Sequence, residues 1–441
     1  MKRTLSLTLL LVWLGTACAA PTSRGSSSPS ASGSTTPSTR TLIAAVQSEP
    51  KTVAARIIAQ GAVSLSLVRR IFNADLALQD DQSNALPYLA ESLPQLNTDN
   101  WKVFPDGKME TTYHLKPNLF WHDGTPLTAD AFVFSLQVYS TPDLGQTSSL
   151  PIKLIASVEA TDDRTVLIRW KEPYAAAGSL QSLASSAVLG LPPLPRHILG
   201  PALESGAQNL LNNSFWTSEY VGLGPYKLDR WEPGSFLEAS AFDRHALGAP
   251  KIPRIKIQFM PDGNAALASM LSGDIQLASD QALPLAQAAQ LNRQWPPGRG
   301  NTIMYFNQWL SAHFQGRSEY VNPTALQDIR VRQALAHAID RPSLNEALYE
   351  GQNLIAETFF APTSDLGRAA EAAATKYPLD LARSAQLMAE AGFTKSAAGL
   401  YVGPGGTPFN PDVRGSGTDV GLTSAMSSGW RQAGFDFTES F

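Results

Sequence analysis

Six histidines are the first candidates for chemistry: His114, His122, His197, His245, His313 and His337. No two of them stand at a metal-ligand spacing such as H-E-x-x-H, so no metal site is expected. The single cysteine, Cys18, sits behind a short apolar run near the N-terminus, away from any histidine. There is no G-x-S-x-G nucleophile elbow. The adjacent carboxylates Asp80–Asp81 and Asp162–Asp163 fall in turn contexts, where solvated turn residues far outnumber catalytic pairs. Val221–Leu228 (VGLGPYKL) holds two glycines and a proline in four positions, but no Lys-Ser/Thr follows as a phosphate loop requires. Arg330 and Arg332 form an anion site or, at this helical spacing, the more ordinary ion-pair partners. Trp121 and His122 face either a ligand or the core. Catalysis, a resident cofactor and a metal are therefore not expected. The competing reading is a secreted hydrolase whose active site is dispersed along the chain.

Such residues need elements to hold them. With 441 residues the chain has room for two or more domains with sizeable cores. Lys and Arg total 34 against 38 Asp and Glu, a net charge of −4, which gives no basic bias towards nucleic acid. Frequent Gly and Pro with sparse charge suit a turn-rich α/β or mixed α+β protein.

Lys2 and Arg3 precede the apolar run Leu5–Leu14, which is shorter than the roughly 20 residues a bilayer-spanning helix needs. It suits the core of a signal peptide. Small residues then lead to Cys18, a lipobox-like order in which Cys18 becomes the lipidated first residue of the mature chain. Gly15 occupies the slot where such a box usually has leucine. Residues 19–40 are a Ser/Thr/Pro/Gly tract that buries too little to offset its ordering entropy, so a disordered tether is expected. Signal core, cysteine and tether in that order predict a protein anchored by lipid just outside a membrane. Without a second cysteine, no disulfide is available and stability must come from packing.

The folded part begins at Thr41. Leu42–Val46 reads as a buried strand and 64–72 as a helix. Pro105-Asp106-Gly107 and Asp162-Asp163-Arg164 are hairpin signals, the second followed by alternating Val166, Ile168 and Trp170. In 110–136 a strand gives way to the turn Trp121-His122-Asp123-Gly124-Thr125-Pro126 and then to a helix. Thr128 is placed to cap that helix, Asp130 favours its positive end, and Phe132, Leu136 and Tyr139 recur at helical spacing. Trp231–Gly234 reads as another hairpin turn and Ile255, Ile257 and Phe259 as a half-buried strand. Gly273 reads as a helix stop and Ile275–Ala278 as a short strand. Val331, Leu335 and Ile339 form an i, i+4, i+8 core stripe, with Asp328 at the helix start and Asp340 capping the next helix before Gly351. Residues 377–392 predict a helix with a glycine stop. Residues 418–433 predict another, followed by the alternating strand 434–439.

Several of these blocks together resemble the extracytoplasmic solute-binding proteins of peptide-type ABC importers, the oligopeptide/dipeptide/nickel-binding family 5. They are Glu110–Leu136, the turn Leu86–Ser92, Val221–Leu228 against "GTGPYKL" with Leu223 for threonine, 267–278 against "LLSGEVDLA", and Asp328–Arg341 against "D-x-R-V-R-x-A-L-x-x-A-I-D-R". The resemblance runs in family order from about Thr41 to the end. It implies a mixed α/β, two-lobed periplasmic-binding-protein-like fold with an inserted subdomain: 41–75 and 184–300 as lobe I, 76–183 inserted, 301–441 as an incomplete lobe II. Residues 1–18 then serve as the lipoprotein signal peptide and 19–40 as the tether. The resemblance also implies an extracytoplasmic receptor, monomeric, that binds a peptide or similar solute between lobes and delivers it to ABC permease subunits. Members of the family bind nickel complexes, haem and oligosaccharides as well. Transferred onto this sequence, the ligand contacts fall in the early loop at Ala62 and Val63, at Met270, and on a strand crossing between lobes at Met304, Tyr305 and Asn307. The family's closing segment, with its second crossing, has no counterpart before Phe441, which predicts a loosened second lobe.

Overall fold

A computed structural model describes residues 40–56, 65–80, 84–182, 190–303, 309–360, 365–415 and 420–441. The leader and tether, including Cys18, lie outside the described residues.

The strand Thr41–Val46 is the hub of the first region. It lies parallel to Arg254–Phe259 on one side and to Leu277–Ala278 on the other. The hairpin Tyr226–Glu232 and Phe236–Ala241 continues the sheet antiparallel, giving five strands in all. Parallel neighbours need a crossover. The helix Gly263–Ser272 supplies one, and the long excursion from Val46 to Arg254 supplies the other. Side chains alternate across the sheet, as the two-residue strand period dictates. Val46 joins the large core, whereas Ala45 joins a smaller cluster with Leu267, Met270, Ile275, Ala282 and Leu291 on the opposite face.

The excursion carries a four-stranded antiparallel sheet in the order Trp101–Val103, Met109–His114, Thr165–Trp170, Ile155–Asp162. Its strands follow the predicted hairpins. The helix Asp130–Tyr139 packs on it, but Ala129 occupies the cap position and no side chain caps there. The Thr128 carbonyl, not its hydroxyl, takes the Ala131 amide. Tyr113, Phe132 and Trp170 join Val68, Phe72, Leu237 and Ile257 in one continuous core, so the inserted sheet and the five-stranded sheet share their packing.

Residues from 309 onward form a second region with its own core, including Val331, Leu335, Leu387, Met388, Trp430 and Phe435. The predicted stripe holds for Val331 and Leu335, with Ile339 packed at the margin. The Ser384 hydroxyl donates to the Ala334 carbonyl at 2.8 Å and the Trp430 indole N–H to the Leu335 carbonyl at 3.0 Å. The caps fall where the sequence puts them: Asp328 accepts from the Arg330 amide at 2.8 Å and Asp340 from the Ser343 amide at 3.0 Å. Arg330 pairs with Asp328, and Arg332 donates to the Leu326 and Gln327 carbonyls, so both arginines serve the structure. The last strand, Thr438–Ser440, pairs in parallel with Asp412–Arg414.

Candidate functional site

The parallel strands of the five-stranded sheet end at one edge, and open α/β sheets hold ligands in the crevice beyond such carboxyl ends. At this edge the chain makes an unusual turn. Asp280 and Gln281, the second and third residues after the strand Leu277–Ala278, take φ of 46° and 65°. Two consecutive non-glycine residues in the left-handed region are strained, and such strain persists where surrounding bonds enforce it. Here the bonds are plain. The Asp280 carbonyl accepts from the Gln47 amide at 3.3 Å. Its two carboxylate oxygens accept from the Ser66 and Leu67 amides, each at 3.0 Å. Those are two of the orphan donors at the start of the helix Ser66–Phe72, so Asp280 ties the strand ends to that helix.

Glu49, three residues beyond Val46, finishes the rim. Its oxygens accept the Trp231 indole N–H at 2.7 Å and the Gly234 amide at 2.9 Å, drawing the 232–236 turn to the edge. The rim is thus a pre-organised frame of backbone and acidic side chains.

The signature stretch around Trp121 anchors the other end of the same helix. The His122 amide donates to the Gly222 carbonyl at 3.0 Å. Its ring accepts the Gly222 amide at Nδ1, at 3.1 Å, and donates from Nε2 to the Gly224 carbonyl at 3.0 Å. This arrangement requires the neutral Nε2–H tautomer, and burial pushes the His122 pKa down to about 4. Gly224 donates to the Phe72 carbonyl at 3.1 Å, and a Cβ there would lie 2.4 Å from the Ile71 carbonyl oxygen. At Gly222 it would lie 2.0 Å from the Phe72 carbonyl oxygen. The two glycine-containing motifs are therefore a clasp on the helix C-terminus, with Trp121 buried in the core.

Beneath the helix lies a buried charge cluster that the sequence reading did not single out. Arg69 donates to the Ser182 carbonyl at 2.8 Å while Asp75 accepts the Ser182 amide. Arg56 donates to the carbonyls of Gly190 and Leu150 at 3.1 and 3.0 Å, to Gln146, and to the Ser149 hydroxyl. Burial pushes the Asp75 carboxyl up to about 7, against the pull of Arg69 and Arg56, and lowers both arginines.

Of the residues expected to touch a ligand, Met270 is described. It packs in the small cluster against Ala45 and Leu267, with its side chain buried. Ala62, Val63, Met304, Tyr305 and Asn307 lie outside the described residues. Asp280 and Gln281 were missed. Their signal was faint: an acidic residue just past a short strand, with no glycine to announce the turn.

In the second region, Trp309, Phe359 and His313 form an aromatic row, with His313 stacked on Phe359 at 6.2 Å between centroids. His313 and Phe359 border an open cleft of about 610 Å³ that Phe314 and Arg332 also line. Asp81 lies outside the described residues. His197 pairs with Asp123 at 2.7 Å, and Asp162 and Asp80 accept the Arg164 and Asn84 amides at their turns. Among the described residues no three His, Cys, Asp or Glu side chains are placed to hold a metal ion.

The sequence profile for bacterial extracellular solute-binding proteins, family 5 Middle, matches residues 91–440. The oligopeptide-binding protein AppA of Bacillus subtilis is 28% identical over 327 residues, covering 72% of this chain and 53% of that protein. A putative ABC transporter peptide-binding protein of Brucella ovis is 27% identical over 335 residues, covering 73% of this chain and 54% of the relative. The chain spans about half the length of these curated relatives. Among solved structures, NikA from Brucella suis in complex with Fe(III)-EDTA matches with a TM-score of 0.70 at 19% identity, over 90% of this chain and 74% of that one. That likeness gives the fold, that of the two-lobed periplasmic binding proteins; the first region is called lobe I below and the second lobe II.

Proposed function

The chain belongs to the family 5 bacterial extracellular solute-binding proteins, and from that premise we propose that it takes up a peptide or similar small solute between its lobes and delivers it to an ABC permease. The observation that carries this reading is the rim of lobe I. Two strained non-glycine residues, Asp280 and Gln281, are locked at the carboxyl ends of the parallel strands and fix the first turn of the helix Ser66–Phe72. A frame of backbone groups suits an extended ligand recognised mainly through its main chain and tolerant of its side chains. The names of the AppA and Brucella ovis relatives support a peptide. Ala62 and Val63, in the segment leading from the rim into that helix, and Met304, Tyr305 and Asn307, in the segment leading to lobe II, are the proposed ligand contacts. Met270, the remaining expected contact, is buried in the small core with Ala45 and Leu267 and is not proposed as one. In this reading the protein is monomeric, carries no catalytic residues, and is held at the outer membrane face by acyl chains on Cys18.

Titration calorimetry with a panel of short peptides tests the reading. Micromolar binding is expected, with side-chain preferences under about 4 kcal/mol. The Asp280→Ala variant is expected to bind at least about tenfold more weakly, because the first helical turn loses its anchor. Failure of every peptide to bind would overturn it. A Cys18→Ala variant that stays fully membrane-bound would overturn the anchor.

A further inference from the structure

The described residues of the two lobes make one side-chain hydrogen bond with each other. Arg293, in the last turn of the lobe I helix Leu285–Gln294, donates from Nη1 to Glu350 Oε2 at 2.7 Å. Glu350 closes the lobe II helix Arg341–Tyr349, and it does so in a costly way. Its φ of 50° and ψ of 37° are left-handed, and Gly351, with φ of 68°, follows in the same region. Helices commonly end on one such residue, usually glycine or asparagine, because a Cβ there is penalised. Glutamate has no local reason to sit at this cap. The Arg293 guanidinium across the lobe boundary gives it one.

We propose that Arg293 and Glu350 form an inter-lobe latch, which holds the lobes at the separation seen here and so favours solute capture between them. This rests on the reading that solute is held between the lobes. Hinge closure is the usual motion of such two-lobed binders, and a bond spanning the boundary biases it by its own free energy. The side chains are 60% and 48% exposed, so the bond is weak and sensitive to salt. Exposed pairs of this kind shift an equilibrium by about twofold to fivefold. That is a trimming effect, sized for a receptor that must also open to release its solute.

The test uses the full chain with spin labels at Lys251→Cys and Ala397→Cys in a Cys18→Ser background, and pulsed electron resonance to read the inter-lobe distance without solute. Arg293→Glu and Glu350→Arg are each expected to broaden and lengthen the distance distribution. They are also expected to weaken trialanine binding by about twofold to fivefold. The charge-swapped double variant should recover both, and 0.5 M NaCl should bring the parent to the level of the single variants. Glu350→Gly separates the latch from the cap, because it relieves the left-handed strain and raises the melting temperature while still loosening the lobes. The latch is refuted if the single variants keep the parent distance distribution, or if the swapped pair behaves as the sum of its parts. Failure of the parent itself to bind trialanine would count against the binding reading and leave the distance measurement standing.

Discussion

The two lobes bury their apolar side chains differently, and the difference bears on the proposed division between a lobe that presents a surface and a lobe that moves onto it. Lobe I and the inserted sheet share one continuous core, and their polar anchors bind backbone: Asp280 at the start of a single short helix, His122 through Gly222 and Gly224 at its end, and Glu49 at the 232–236 turn. Lobe II has a smaller core and leaves Tyr320, Phe359 and Leu366 more than 60% exposed, with Trp309, Phe360 and Ile329 also open. Its helix Arg341–Tyr349 buries no residue. On the proposed function, the binding frame is pre-built on lobe I and lobe II is the softer element that closes over it.

The strongest challenge to that contrast is at the clasp. Gly224→Ala places a Cβ about as far from the helix backbone as a covalent bond plus a fraction, 2.4 Å from the Ile71 oxygen, and no flexible side chain is there to yield. We expect a loss of about 4 kcal/mol or more, at the limit for point mutants, read as a failure of lobe I to fold. A chemical denaturation curve matching the parent would break the account of the motifs.

Proton linkage comes next, with opposite signs in one lobe. The folded pKa of His122 is depressed to about 4, so its stabilisation is present above the ordinary histidine value of about 6.5 and is lost as pH falls through the folded value. The folded pKa of Asp75 is raised to about 7, so its stabilisation is present below the ordinary carboxylate value and is lost as pH rises towards 7. The shifts correspond to about 3 kcal/mol for His122 and about 4 kcal/mol for Asp75, and they oppose one another between about pH 4 and 6.5. The parent should show a shallow stability profile over that window. His122→Gln should leave stability falling with rising pH, and Asp75→Asn should leave it rising. Parallel profiles for the two variants would contradict the assignment.

A smaller effect is expected at the rim. Asp280→Ala removes a carboxylate that satisfies two helix amides and should cost about 1 to 2 kcal/mol, measured by urea unfolding, alongside its weakened solute binding. The smallest runs the other way in lobe II. Gly429 lies inside the helix Val420–Ala433, and a Cβ there meets nothing within 4 Å. Gly429→Ala should stabilise by about 0.5 to 1 kcal/mol through helix propensity alone.

What could be read in the sequence was what short-range chemistry specifies. Asp328 and Asp340 cap their helices, Gly273 stops its own at φ 89°, and the turn at 162–164 joins the strands expected of it. The Thr128 cap failed because Ala129 already lies in helical conformation and shifts the start of the helix. The rim was not legible. The significance of Asp280 depends on Leu277–Ala278 pairing with a strand more than two hundred residues earlier, and a left-handed non-glycine residue leaves no compositional mark. The cluster of Arg56, Arg69 and Asp75 was hidden for the same reason. Charged residues spaced like these are ordinarily solvated, and tertiary packing alone buries them.

Amide hydrogen exchange on the full chain tests the contrast between lobes most directly. A frame pre-built on lobe I predicts that Thr41–Val46 and Arg254–Phe259 exchange only through global unfolding. The amides of Arg341–Tyr349 and Asp365–Ala373 should then exchange at least about a hundredfold faster, a gap of about 2.7 kcal/mol in opening free energy. If those lobe II helices proved as protected as the lobe I strands, the two lobes would be equally rigid and the account of one lobe presenting and the other closing would be wrong.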